Sequence, residues 1–301
     1  MERYVTEDGT IAKYVHDDGS ETSIKTWPKG MESCGGSGRN KFNVFASCSS
    51  GCMIKCGFCF LTSKRFPHTY LTYSEVVDNV SNAIYEEFKH RPELRKIPFN
   101  LSWMGMGEPW LDLDLIEIAT DDILRNIAPL VDEIEGVDIA TTLPSVSYLD
   151  SIFLTNINDM LIKTGKLTKK PEGRTNVRIF YSLHSLDDAV RKSIIPRTLD
   201  VAIAFQYLKK LSETYNIIYH YMFLEGINDR PIDYVLLCRY FSVSKSQLRI
   251  LRFNQCPNTK FRESSSFSLI TDKLKKFVFD VKIQSSPGSE VSAACGMFLM
   301  R

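Results

Sequence analysis

Four cysteines stand within twelve residues in the stretch CSSGCMIKCGFCF: Cys48, Cys52, Cys56 and Cys59. The last three give the spacing C-x3-C-x2-C. Thiols this close together serve one of three chemistries. A structural zinc would take all four in tetrahedral geometry, but such sites draw ligand pairs from separated segments, and one short loop is cramped. Disulfides persist in oxidising compartments. The N-terminus MERYVTEDGT is charged and lacks the apolar core of a secretion signal, so a reducing, cytoplasmic setting is expected. There, clustered cysteines read as metal-binding or catalytic. An iron–sulfur cluster held by three thiolates is the third chemistry. Three ligands leave one iron open, which a catalytic centre needs. On that reading Cys48 lies outside the ligand set.

Further polar residues follow apolar stretches: Glu108, then Thr141 and Thr142, Ser182 and His184, Glu225 and Asn228, and Asn254. Any one of them reads equally as a turn or helix-cap residue. The elements around them give the set its meaning. PFNLSWMG, GVDIATTL, NVRIFYSLH, NIIYHYMFL and QLRILRFN read as strands. YSEVVDNVSNAIYEEFK, capped by Ser74, reads as helix, as do LDLIEIATDDILRNI, SVSYLDSIFLTNINDMLI, DDAVRKSII, VAIAFQYLKKLSETY, PIDYVLLCRYF and SLITDKLKKFVFD. Strands alternating with helices argue a parallel sheet with right-handed crossovers. The expected fold class is α/β, a partial (β/α)6 barrel with a small N-terminal β-hairpin extension. In such folds function gathers at the C-terminal ends of the strands, where these polar residues fall.

The expected organisation has three parts. Residues 1–30 form the hairpin extension, with an Asp-Gly pair at each of two turns. Residues 31–47 form a Gly/Ser-rich connecting loop, and residues 48–301 form the barrel with a C-terminal cysteine loop.

The 301 residues carry a net charge of +1, with 44% hydrophobic and 24% charged residues. Whole-molecule charge therefore predicts no polyanion partner, and a nucleic-acid surface would have to be local. No apolar run reaches membrane-spanning length. Two stretches are basic. One holds Lys163, Lys166, Lys169, Lys170, Arg174 and Arg178; the other holds Lys245, Arg249, Arg252, Lys260 and Arg262. Such runs read either as solvated surface or as phosphate contacts.

C-x3-C-x2-C with an aromatic before the last cysteine, here Phe58, resembles the signature of the radical S-adenosyl-L-methionine (SAM) superfamily. Further stretches resemble the RlmN/Cfr family of radical SAM RNA adenine methyltransferases. They are EDGTIAKYVHDDGSETSI, MGMGEPWLDLD, YSLHSLDDAVRKSIIP, YMFLEGINDRP, LRFNQCPNTKFRESS and SAACGMFL. The likeness runs from about residue 7 to 299.

The resemblance implies a [4Fe–4S] cluster on Cys52, Cys56 and Cys59, with SAM at the open iron. It implies SAM contacts from Phe58, Gly107, Glu108, Thr141, Thr142, Ser182, His184 and Asn254. Glu108 would accept from the SAM ammonium. Cys295 would carry a methyl group taken from one SAM. A second SAM would supply the radical that removes hydrogen from that methyl, and the methylene radical would add to an adenine carbon. Glu21 would accept a proton, and a second cysteine would resolve the protein–RNA adduct by forming a disulfide. The implied partners are a nucleic acid of rRNA or tRNA type, or a nucleotide, and an electron donor such as flavodoxin or ferredoxin. The protein is expected to be a cytoplasmic monomer with no membrane partner.

Two features depart from the family pattern. The family's second cysteine falls seven residues before the first cluster cysteine, where this chain has Phe45. Cys48 is the nearest candidate resolver, Cys34 is another, and a different fate of the adduct is the third reading. Family members also carry a helical accessory domain ahead of the hairpins, whereas this sequence begins almost at them. Two alternatives therefore stand beside RNA adenine methylation. One is radical SAM modification of another nucleobase or nucleotide on the same scaffold. The other is a non-catalytic iron–sulfur binding module.

Overall fold

The computed structural model describes residues 1–27, 41–145, 152–169, 175–244, 246–256, 259–284, 287–293 and 296–298. Cys34, Lys170, Arg174, Lys245 and Cys295 lie outside the described residues.

Strands β1 (Glu2–Val5), β2 (Ile11–Val15) and β3 (Glu21–Trp27) form the expected meander. Its two turns place Gly9 at φ +70° and Gly19 at φ +83°, a region closed to most side chains. β4 (Lys41–Phe45) pairs antiparallel with β3 and parallel with β7 (Phe99–Trp103). The last part of the stretch read as a connecting loop is thus a barrel strand. Its residues Lys41–Val44 are fully buried, which the adjoining Gly/Ser-rich composition concealed. A short ribbon, β5 (Ser49–Ser50) with β6 (Thr69–Tyr70), closes the base of the cysteine loop around helix α1 (Phe60–Ser63).

From there strand and helix alternate. Helix α2 (Tyr73–His90) leads to β7, and α3 (Leu113–Ile127) to β8 (Ile134–Thr141). α4 (Ile152–Lys163) leads to β9 (Val177–Ser182), and α5 (Asp188–Ile194) with α6 (Val201–Leu211) to β10 (Asn216–Met222). α7 (Pro231–Phe241) leads to β11 (Gln247–Leu251), and α8 (Phe267–Phe277) to β12 (Val281–Gln284). Strands β4 and β7 to β11 run parallel, each followed by helix, and give the (β/α)6 core. β12 extends the sheet beyond it, and the meander continues it at the other edge. The apolar residues at helical spacing are buried: Val76, Val80, Ala83 and Ile84 of α2, and Ile116, Ala119 and Ile123 of α3.

Helix α2 is capped by Thr72 rather than Ser74. The Thr72 hydroxyl accepts from the Glu75 amide while Glu75 reaches back to the Thr72 amide, a capping box, and Ser74 falls inside the helix. The meander is fastened to α2 through Glu87, which receives Arg3 Nε at 3.0 Å, Arg91 Nε and the Tyr14 hydroxyl. Inside the barrel, polar side chains replace much of the usual apolar filling. Asp138 accepts from Asn100 Nδ2 at 3.0 Å and pairs with Arg178, whose Nη2 donates to Asn100 Oδ1 at 2.7 Å. Arg178 and Arg249, read from the sequence as candidate phosphate contacts, are 4% and 2% exposed. They are barrel interior and not surface. Lys163, Lys169, Arg252, Lys260 and Arg262 remain exposed.

Candidate active site

Gly107 explains why the loop after β7 can lie so low over the cysteine segment. Its φ is +103°, and a Cβ there would meet Cys48 Sγ at 2.4 Å and Ser49 Oγ at 2.6 Å. Only a glycine allows this approach. Cys48 itself is buried; its amide donates to Met106 O at 2.9 Å and its Sγ to the same oxygen at 3.6 Å. Burial pushes the Cys48 thiol well above its ordinary value.

Cys52, Cys56 and Cys59 are half-buried cysteines on the turn before α1. The Gly57 amide ties this turn to Ile194 O at 2.8 Å, and the Phe60 amide ties it to Gly296 O at 2.9 Å. Burial pushes Cys52 up to about 11, and burial with the charges of Cys52 and Cys59 pushes Cys56 well above its ordinary value. Among the described residues, no three His, Cys, Asp or Glu side chains converge to hold a single metal ion.

The three cysteines instead face one cavity of about 210 Å³ at the C-terminal ends of the strands. The same cavity is lined by Phe58, Gly107, Glu108, Thr141, Thr142, Ser182, His184 and Asn254. Cys48, Glu21 and Phe45 also reach it, as do Ala293 and Gly296 on either side of the segment that carries Cys295. Glu225 does not; it is exposed beyond the end of β10.

Glu108 is 6% exposed, and its Oε2 accepts from the Thr142 amide and hydroxyl, both at 2.9 Å. Burial raises its carboxyl above the ordinary value, and the hydrogen bonds from Thr141 and Thr142 oppose that rise. His184 sits at φ +52°, a left-handed backbone that a residue other than glycine rarely adopts. Asn228 holds it there: Nδ2 donates to His184 O at 2.6 Å and to Met222 O at 2.8 Å, fastening the end of β9 to that of β10. The His184 ring lies edge-on to Phe58 with centroids 5.2 Å apart.

Three supporting side chains were not singled out in the sequence. Arg191 of α5 is fully buried and donates to the carbonyls of Leu183 (2.9 Å), Thr142 (2.8 Å) and Ser182 (3.0 Å). It therefore clamps the ends of β8 and β9 together. Lys13 of β2, also buried, pairs with Glu21 at 3.4 Å, and Lys25 of β3 holds the C-terminal segment. Arg191 and Lys25 look like ordinary helix and strand cations in sequence. Lys13 lies within EDGTIAKYV, so its signal was the strand alternation that puts it beside Ser23.

The geometry and the comparisons with known proteins agree. No protein-family model matches the chain. The chain is 28% identical over 259 residues to the probable dual-specificity RNA methyltransferase RlmN of Chlorobaculum tepidum, covering 83% of this chain and 63% of that protein. It is 25% identical over 309 residues to the probable RlmN of Synechococcus sp., covering 98% of this chain and 78% of that protein. It spans 63% and 66% of the first two curated relatives, less than two thirds of each. Its fold matches a radical SAM methyltransferase from Sphaerobacter thermophilus with a TM-score of 0.73 at 21% identity, covering 99% of this chain and 80% of the other. The partial barrel with its cysteine loop at the strand ends is therefore a radical SAM fold. In sequence the chain is similar to a run of distant relatives named RlmN.

Proposed function

We propose that the protein is a radical SAM methyltransferase that methylates an adenine carbon in RNA by way of a methylated Cys295. The observation that carries this reading is convergence. Residues from β3, the cysteine loop and the ends of the six parallel core strands meet at one cavity, and both described neighbours of the Cys295 segment line it. Cys52, Cys56 and Cys59 would hold a [4Fe–4S] cluster. The donor set suits it: three thiols line one space, burial raises Cys52 and Cys56 above their ordinary values, and a cationic iron centre would supply the missing positive charge. Each thiolate binds a different iron, so the three need not converge on one point. Bound there with SAM, the cluster would supply a carbon radical able to take hydrogen from a methyl group.

The chain's own residues do the rest. Glu108 would receive the SAM ammonium, which restores to a buried carboxylate the charge partner it lacks. Gly107 keeps the loop low enough for backbone groups to reach the ligand. Glu21, held by Lys13, would take the proton released when the adduct is resolved. Reduction would come from a small electron carrier of the flavodoxin or ferredoxin kind.

The test is mass analysis of protein purified anaerobically and incubated with SAM. S-methylcysteine at Cys295 is expected, and an unmodified thiol would overturn the reading. Cys295→Ala should abolish nucleic-acid methylation yet leave SAM cleavage. Phe45 favours a second reading, modification of another nucleobase or nucleotide, because it removes the thiol that family members use to resolve the adduct. Nucleoside mass spectrometry of cells with and without the protein separates the two.

A further inference from the structure

His220 carries no sequence motif. It lies in β10, its Cα paired with Ser182 of β9 and with Arg249 of β11, and it lines the cavity one pleat below Met222. It is 7% exposed, and its Nε2 has no hydrogen-bond partner among the described residues. His184 is 2% exposed, and its Nδ1 is equally without one. The two backbones are joined, since the His220 carbonyl accepts from the amides of Leu183 (3.0 Å) and His184 (3.3 Å). Burial, with Arg249 beside it, keeps the His220 ring neutral.

Buried polar atoms are nearly always paired, so two orphaned ring nitrogens on residues that line one cavity mark a place where a ligand completes them. The walls describe that ligand. Phe58, Met222, Leu251 and Phe253 are apolar, and Arg252 in the same lining is paired with Glu263. A phosphate or carboxylate would ask for a free cation. Two neutral imidazoles, each able to donate or accept, suit a flat neutral heterocycle with donors and acceptors on its edge.

The geometry points to His220 as a binding residue for a nucleobase, with Nε2 hydrogen-bonded to the ring edge. The proposed function enters only in naming the sources of that base, which are the adenine of SAM or the base of the substrate.

The imidazole 15N resonances of the cluster-loaded protein read this directly. A shift of His220 Nε2 on adding SAM assigns the site to the adenine of SAM. A shift only when an adenine-containing oligoribonucleotide joins bound SAM assigns it to the substrate base. A resonance that neither moves overturns the inference. In equilibrium dialysis, His220→Leu should weaken the same ligand roughly tenfold, and His220→Gln, which keeps a donor near Nε2, should recover most of it. Unchanged affinity of His220→Leu for both ligands also overturns it. Protein that binds and cleaves SAM without any His220 response refutes this inference and leaves the proposed function standing. A response to the oligoribonucleotide in protein that cannot bind SAM does the reverse.

Discussion

Lys25 Nζ donates to the carbonyl of Ala293 at 2.6 Å and to that of Pro287 at 3.3 Å, while standing 5.1 Å from the centre of the Phe45 ring. Gly296, on the far side of the Cys295 segment, is held by the Phe60 amide at 2.9 Å. One strand of the meander and the residue after Cys59 thus grip the chain on both sides of Cys295. The meander is not an appendage to the barrel. It sets where the C-terminal segment runs, and it does so beside Phe45.

Lys25→Met keeps the apolar stem and removes the ammonium. Hydrogen bonds from a charged donor contribute about 1.5–3 kcal/mol, so methylation of Cys295 should slow roughly tenfold or more. SAM cleavage without nucleic acid should change little, because the hydrogen bonds described for Lys25 go to the C-terminal segment. Peptide mass analysis of Cys295 and assay of deoxyadenosine on the same samples check the split. Equal loss of both would show that Lys25 supports the whole cavity.

Arg191→Lys tests the clamp at the ends of β8 and β9. A lysine carries the charge but cannot span the carbonyls of Thr142, Ser182 and Leu183 that the guanidinium bridges. Leaving two of these buried oxygens unpaired should destabilise the protein by about 2–4 kcal/mol. SAM affinity should fall as well, since Thr142 and Ser182 then lose their fixed spacing. Urea unfolding and equilibrium dialysis measure the two effects. An unchanged unfolding midpoint would show that water or repacking replaces the clamp.

His16 gives the meander a pH dependence of its own. It is 5% exposed, with Nε2 at 2.9 Å from Thr22 Oγ1, and burial pushes it down to about 4 against the pull of Asp18. The unfolded chain binds the proton more readily, so the contribution is whole above pH ~6.5 and is lost as pH falls toward about 4. The loss is on the order of 3 kcal/mol. His184 and His220 are also lowered and add in the same direction. His16→Gln should flatten the fall in urea midpoint between pH 7 and 4.5 by its own share. A slope unchanged from the parent protein would show that His16 takes up its proton without unfolding.

Much of the fold was legible because its strands and helices obey simple periods. LDLIEIATDDILRNI and PIDYVLLCRYF match α3 and α7 end to end. β4 was hidden by the Gly- and Ser-rich residues before it, and β12 by its shortness and by the apolar end of α8 just ahead. The cap at Thr72 did leave a signal, since Glu75 stands three residues on, but Ser74 offered the same hydroxyl. The site residues were legible as motifs, yet their supports were not. Arg178 and Arg249 lie in basic runs, and nothing in a one-dimensional pattern distinguishes a solvated arginine from one turned into a barrel. His220 is a polar residue in an apolar strand, a pattern that becomes a site only when the sheet curls round and brings it beside His184.

Cys48 and Phe45 decide how the proposed adduct is released. Cys48 reaches the cavity but is packed under Gly107 with its thiol protonated by burial, so it must be exposed and ionised before it can attack. Attack by its thiolate on Cys295 sulfur would form the disulfide and break the bond from that sulfur to the bridging methylene carbon, which takes the electron pair and then a proton to become the methyl group on the base. If Cys48 does this, Cys48→Ala should arrest the reaction with nucleic acid covalently held on Cys295, visible as a shifted band and by mass. Phe45→Cys places a thiol on the cavity wall, where Phe45 already stands half-exposed at the end of β4. Combined with Cys48→Ala it should release the trapped species and restore turnover. Normal turnover by Cys48→Ala alone would exclude Cys48 as the resolver, and a double variant that stays arrested would show that position 45 cannot serve in this cavity.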